Sequence, residues 1–149
     1  MAFFAIGICM MLYAIAFEEE TLPVYNPVDF NPELVDASIR NTESNHTVAD
    51  FELVNQNGKR ITQKDYENKI YVADFFFTRC PSICPIMSNN MQELQHIFLN
   101  ENDVMFLSMS VTPIMDSIPV LKRYAQKHGV VDSKWNITTG DKKHIYNLA

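Results

Sequence analysis

The sequence predicts an α/β domain built on a parallel sheet behind a membrane anchor, and three observations carry that reading. Residues 1–17 contain no charged side chain. Two short β-branched and aromatic runs, residues 70–77 and 104–111, have the length and composition of buried strands. Each is followed by a segment whose apolar residues recur at helical spacing, and a strand, helix, strand, helix order closes most economically as right-handed βαβ units. With 149 residues, 47% apolar and 20% charged, the chain has room for one modest core and a short appendage. That composition excludes disordered, collagenous and disulfide-scaffold classes.

Eighteen acids against twelve Lys and Arg leave a net charge of -6, which argues against a nucleic-acid binder that works by neutralising phosphates. The charge is unevenly spread. Residues 18–52 hold nine acids and only Arg40, whereas residues 53–149 hold eleven bases and nine acids.

As a helix, the uncharged residues 1–17 would reach about 25 Å at roughly 1.5 Å per residue. This is slightly under a bilayer core of about 30 Å. No base precedes the run, and Glu18, Glu19 and Glu20 close it, so an uncleaved anchor fits better than a cleaved signal peptide or a buried core helix. Basic residues are retained on the cytoplasmic side of a span, so the acidic flank predicts a body outside it: a bacterial inner-membrane protein facing the periplasm. Cys9 reads as an ordinary apolar cysteine. The tripeptides starting at Asn45 and Asn136 are glycosylation sequons, a weak signal for a eukaryotic secretory protein and without meaning in a bacterium.

Residues 18–46, acidic and carrying Pro23, Pro27 and Pro32, read as an extended linker. The body occupies 47–149. Residues 48–54 form a first short strand, Asn57-Gly58 a hairpin turn and residues 59–62 its return. The run at 70–77 is the expected centre of the sheet, with Asp74 its one polar interruption. Met87, Met91, Leu94 and Phe98 then mark one helical face. After the strand at 104–111, Asp116-Ser117 opens a capped helix with Val120, Leu121, Tyr124 and Ala125 on one side, stopped at His128-Gly129.

The chemistry is concentrated in Thr78-Arg79-Cys80-Pro81-Ser82-Ile83-Cys84-Pro85, between the first buried strand and its helix. Open α/β sheets bind ligands at strand carboxyl ends. Pro85 suits a first helical position, which places Cys84 at the N-cap with a lowered thiol pKa. Three residues between the cysteines, rather than two, make a wider loop than the usual redox dithiol. Two thiolates select soft Cu(I), or zinc if two more ligands converge, and no second cysteine pair or close histidine pair supplies those. From the residues alone, a metal site, a redox dithiol and a structural disulfide all remain open.

The stretch YVADFFFTRCPSICPIMSNNM resembles the signature of the Sco/SenC family of copper-binding assembly factors. SMSVTPIMDSIPVLKRYA and WNITTGDKKHIYNLA continue the resemblance, which covers roughly residues 48–149. It implies a thioredoxin-like fold tethered to a membrane, with Cys80 and Cys84 ligating copper as Cu(I), and as Cu(II) when a nitrogen ligand joins them. The same pair forms a disulfide when oxidised. The implied role is metallochaperone rather than enzyme, loading or maturing the binuclear copper centre of cytochrome c oxidase. Its partners would be the oxidase's copper-bearing subunit and a thioredoxin-like reductant; the alternative is a tethered thiol-disulfide oxidoreductase acting on that subunit's cysteines. Ser82 and Thr112 stand where the family commonly has acids, while Asp116 matches a family Asp. The family's third copper ligand, a histidine on a later segment, lies beyond Ala149, so the sheet is expected to lack its last strands and to leave edges unpaired.

Among the remaining candidates, His96, His128 and His144 read as solvated or capping residues and Met87 and Met91 as core. Asp74 is either a buried acid behind the cysteines or a strand residue near solvent. Arg79 either raises the thiolate character of Cys80 or faces water. Trp135 reads as core.

Overall fold

The computed structural model describes residues 25–33, 35, 37 and 48–148. The chain divides into two units, 1–47 and 48–149. The anchor expected at 1–17, Cys9 and the sequon at Asn45 lie outside the described residues. Among the described residues no helix is long and apolar enough to cross a membrane. Within the first unit, Pro27–Asp29 form a short 3₁₀ turn. Asp29 holds it by accepting a hydrogen bond from the Asn26 amide at 2.7 Å, so this part of the expected extended linker is locally turned.

The second unit carries strands β1 (Glu52–Asn55), β2 (Arg60–Thr62), β3 (Ile70–Phe76), β4 (Val104–Ser110) and β5 (Trp135–Thr139). Its helices are α1 (Ile83–Ile97), α2 (Ile118–Lys127) and α3 (Lys142–Leu148). The sheet order is β2-β1-β5-β4-β3. β3, β4 and β5 are parallel, and β1 runs antiparallel to both β5 and β2. Alternation along β4 and β5 divides the core. Phe106, Trp135 and Ile137 pack with Phe76, Met91, Leu121 and Ala125 in one layer. Leu107 and Met109 pack with Leu53, Ile61, Tyr66 and Ile145 in the other.

Three expectations change. The first strand starts at Glu52, and its hairpin turns on Gly58, whose φ of 76° favours a residue without Cβ. Asn55 Oδ1 fastens that turn by accepting the amides of Asn57 and Lys59, each at 3.0 Å. β3 is an edge rather than the centre: Ile70 is 69% exposed and Val72 38%. The reason is β5, which takes the far side of β4 and makes β4 and β5 the buried strands. Among the described residues β3 has one neighbouring strand, whereas β4 has a neighbour on each side.

α2 ends as the sequence predicts. Val130 donates to the Ala125 carbonyl at 3.0 Å and Gly129, at φ 61°, to that of Gln126 at 3.3 Å. These two bonds make a Schellman closure.

Candidate metal and dithiol site

The chain leaves β3 at Phe76, and a turn in which the Cys80 amide donates to the Phe77 carbonyl at 3.2 Å brings Cys80 back over the start of α1. Ser82, not Cys84, occupies the N-cap position, and Cys84 lies inside the first helical turn. Its amide is one of those a helix start leaves without an internal partner. That amide donates to Cys80 Sγ at 3.4 Å. Ser82 Oγ lies 4.0 Å from the same sulfur.

The helix N-terminus thus serves the earlier cysteine, which reverses the sequence expectation. Cys80 is lowered to about 7, first by the hydrogen bond from the Cys84 thiol and then by the Cys84 and Ser82 amides. Cys84 moves up, because it is buried and because its proton is the one donated to Cys80. Both cysteines are free, and Cys80 retains 9% of its surface and Cys84 4%. The pair is therefore one sulfur prone to ionise beside one that holds its proton.

Behind the cysteines, Asp74 is half-buried and accepts a hydrogen bond from Ser108 Oγ. Burial raises its pKa, partly offset by that bond, and its charge contributes to raising Cys84. Trp135, fully buried as expected, donates from Nε1 to Ser108 Oγ at 2.9 Å. Ser88, one turn beyond Cys84, pairs with the Tyr124 hydroxyl at 2.6 Å across to α2.

Asp116 is the group whose place the sequence least foretold. It is fully buried and does not cap α2. Its Oδ2 accepts from the Thr78 amide at 3.2 Å, Ser110 Oγ at 2.5 Å and Thr112 Oγ1 at 3.0 Å, and Oδ1 from Thr78 Oγ1 at 2.5 Å. Hydroxyl residues at the exits of β3 and β4 were the available signal.

The other candidates do not converge on the cysteines. His96 and Arg79 are exposed. His144 accepts the Glu52 amide through Nε2 at 3.2 Å. His128 is a correction: 5% exposed, it packs on the Tyr124 ring at 4.5 Å, and burial pushes its pKa down. Met91 is core and Met87 half-buried. Asn136 is buried and donates from Nδ2 to Tyr66 Oη at 2.8 Å, so its sequon is closed in the folded protein. Among the described residues no three His, Cys, Asp or Glu side chains are grouped to hold a metal ion. The donor set present is two sulfurs, which suits soft Cu(I) and falls short of a zinc set.

Residues 39–149 match the SCO1/SenC family. Similar solved structures include three Sco-family proteins. A SCO1/SenC family lipoprotein from Bacillus anthracis superposes with a TM-score of 0.63 at 40% identity, covering 68% of this chain and 61% of that one. BsSco, a Sco-family cytochrome c oxidase assembly protein in which a disulfide switch has been identified, gives 0.63 at 34% identity over 70% and 62%. Copper-bound ScoI from Bradyrhizobium japonicum gives 0.61 at 26% identity over 69% and 64%. The chain spans about half the length of the curated relatives it matches, among them the SCO1 homolog of Bacillus subtilis at 36% identity over 97 residues.

Proposed function

The chain belongs to the SCO1/SenC family, and from that premise we propose that it is a membrane-tethered copper chaperone that delivers copper to, or matures, the binuclear copper centre of cytochrome c oxidase. Copper is cargo in this reading. Cys80 and Cys84 hold it as Cu(I), the oxidase's copper-bearing subunit receives it, and a thioredoxin-like reductant returns the pair from disulfide to dithiol. The observation that carries the reading is the loop itself: two free, buried sulfurs four residues apart, one of them facing a helix amide. A copper-bound relative of the same fold supports it. The bacterial inner membrane, with the body in the periplasm, is the proposed location, and a lipoprotein relative supports membrane attachment.

The test is a competition for Cu(I) against a chromogenic chelator, using the reduced full chain in mild detergent. One Cu(I) per chain is expected, with Cys80→Ser and Cys84→Ser each losing affinity by at least about tenfold because one sulfur ligand is gone. Either single variant binding as tightly as the parent would sink the shared site.

One observation favours a second reading, a thiol-disulfide oxidoreductase acting on the cysteines of an oxidase subunit. The two sulfurs have opposed proton affinities, which suits one attacking thiolate and one resolving thiol. Reduction of a disulfide peptide by the copper-free chain at a rate abolished by Cys80→Ser would support this reading over delivery.

A further inference from the structure

Two loops meet at the carboxyl ends of β3 and β4, and a single buried acid joins them. Four donors reach the Asp116 carboxyl group: the amide and hydroxyl of Thr78, and the hydroxyls of Ser110 and Thr112. All four donate, the pattern suited to an acceptor-only carboxylate. Ser110 Oγ also accepts the Thr112 amide at 3.1 Å, and the Asp116 amide donates to the Thr112 carbonyl at 3.0 Å. The β4 side of the clamp is therefore fixed within its own loop, while the arm that crosses to β3 ends on one residue, Thr78. Two residues later comes Cys80. The turn between them is closed by one backbone hydrogen bond, from Cys80 to Phe77 at 3.2 Å, so where Thr78 is held decides where that turn begins.

We propose that Asp116 is the positioning residue of the dithiol loop: by holding Thr78 at both its amide and its hydroxyl, it sets Cys80 Sγ against the first amides of α1. It acts through Thr78 and does not touch the sulfurs. A buried hydrogen bond to a charged group is strong because the alternative is an unpaired charge away from water. With the clamp cut, the loop gains freedom and Cys80 Sγ leaves the Cys84 amide. The reduced pair then loses the hydrogen bond that favours it, and the dithiol-disulfide balance moves toward the disulfide. The proposal deepens the function given above, since it concerns the same two cysteines, but its readout concerns the dithiol alone.

The experiment equilibrates the full chain in detergent with glutathione buffers. In the forward direction Cys80 and Cys84 give up two electrons and two protons to glutathione disulfide, forming one S–S bond and releasing two glutathiones. Three variants are compared: Asp116→Asn, Thr78→Val and Thr78→Ser. Gln95→Leu serves as a destabilised control, because Gln95 is buried on α1 and bonds the Gly129–Val131 backbone rather than the cysteine loop. Asp116→Asn and Thr78→Val should raise the equilibrium constant for disulfide formation by about tenfold, the scale of one charge-assisted hydrogen bond. Thr78→Ser, which keeps the hydroxyl, should restore the parent value, and Gln95→Leu should lower stability without moving it. If Asp116→Asn does not fold, the Thr78 pair decides alone. Thr78→Val within twofold of the parent overturns the clamp, as does an equal shift in Gln95→Leu. Cu(I) titration of the same samples keeps the two ideas apart: a parent that binds no copper while Thr78→Val shifts the equilibrium refutes the chaperone reading and leaves the clamp standing.

Discussion

At Cys80, hydrogen bonds from the Cys84 thiol and from amides at the start of α1 act on a sulfur that retains 9% of its surface. The thiolate is the reactive form, and with a pKa lowered to about 7 Cys80 carries it well below the range of an ordinary cysteine. The sign follows directly: the lowered group loses its proton first as pH rises, and the raised Cys84 keeps its own. Alkylation of the reduced chain should label Cys80 before Cys84, with a rate that climbs through about pH 7. Cys84→Ala removes the thiol donor and should move that climb upward. Peptide mapping after brief iodoacetamide exposure across pH 5 to 10 reads both, and preferential labelling of Cys84 at neutral pH would refute the asymmetry. Much of this was legible in the sequence, because a Cys-Pro pair at a strand-helix junction marks the place. Which sulfur ionises was not, since it depends on the helix beginning at Ile83 and not at Pro85. His128 was misread for a similar reason. It follows the last residue of α2, where a polar side chain commonly meets solvent, but the Schellman closure at Gly129 turns it onto the Tyr124 ring.

The helices show where hydrophobic periodicity stops being informative. Met91, Leu94 and Phe98 mark the inward face of α1 correctly, yet the same face buries Ser88 and the fully enclosed Gln95. Gln95 reaches the link between α2 and β5, donating to the Gly129 carbonyl at 3.0 Å and accepting the Val131 amide at 2.8 Å. A spacing rule counts apolar residues and has no term for a glutamine that satisfies a loop's backbone. Lys134 does comparable work on the other side of that link. Although only 6% exposed, it donates from Nζ to the Glu101 carbonyl and to that of Val104 at 2.7 Å, tying the entry of β4 to β5. Replacing Gln95 with Leu keeps the volume but leaves the part-buried Gly129 carbonyl and Val131 amide without their side-chain partner. A fully buried unsatisfied group costs roughly 1–3 kcal/mol, and because these two bonds are only part-buried Gln95→Leu should lose about 1–3 kcal/mol of unfolding free energy in all. Urea unfolding followed by Trp135 fluorescence measures it, and a loss below about 0.5 kcal/mol would mean that water replaces the side chain without penalty.

Across the whole second unit, the strand that leads to the cysteines lies at the rim of the sheet rather than at its centre. The apolar run at residues 70–77 promised a strand covered on both sides. Composition, however, cannot separate a central strand from one whose exposed positions also carry Ile and Val, and it was WNITT, with three polar residues, that proved buried. The two buried ones are paired: Asn136 with Asn55 and Tyr66, and Thr138 Oγ1 with the Ser108 carbonyl at 2.9 Å. The consequence is a gradient of protection. β4 and β5 have neighbours on both sides, whereas β3 bonds to β4 alone among the described residues. Half of its amides therefore point away from the ladder, with Ile70 and Val72 exposed beside them. Native-state hydrogen exchange of the reduced full chain should find β4 and β5 opening only with global unfolding, while the outward amides of β3 exchange orders of magnitude faster. Resolving single amides by NMR would show alternate fast and slow positions along residues 70–76. Uniformly slow exchange along β3 would mean that its outer edge is paired in solution, with another strand beside it.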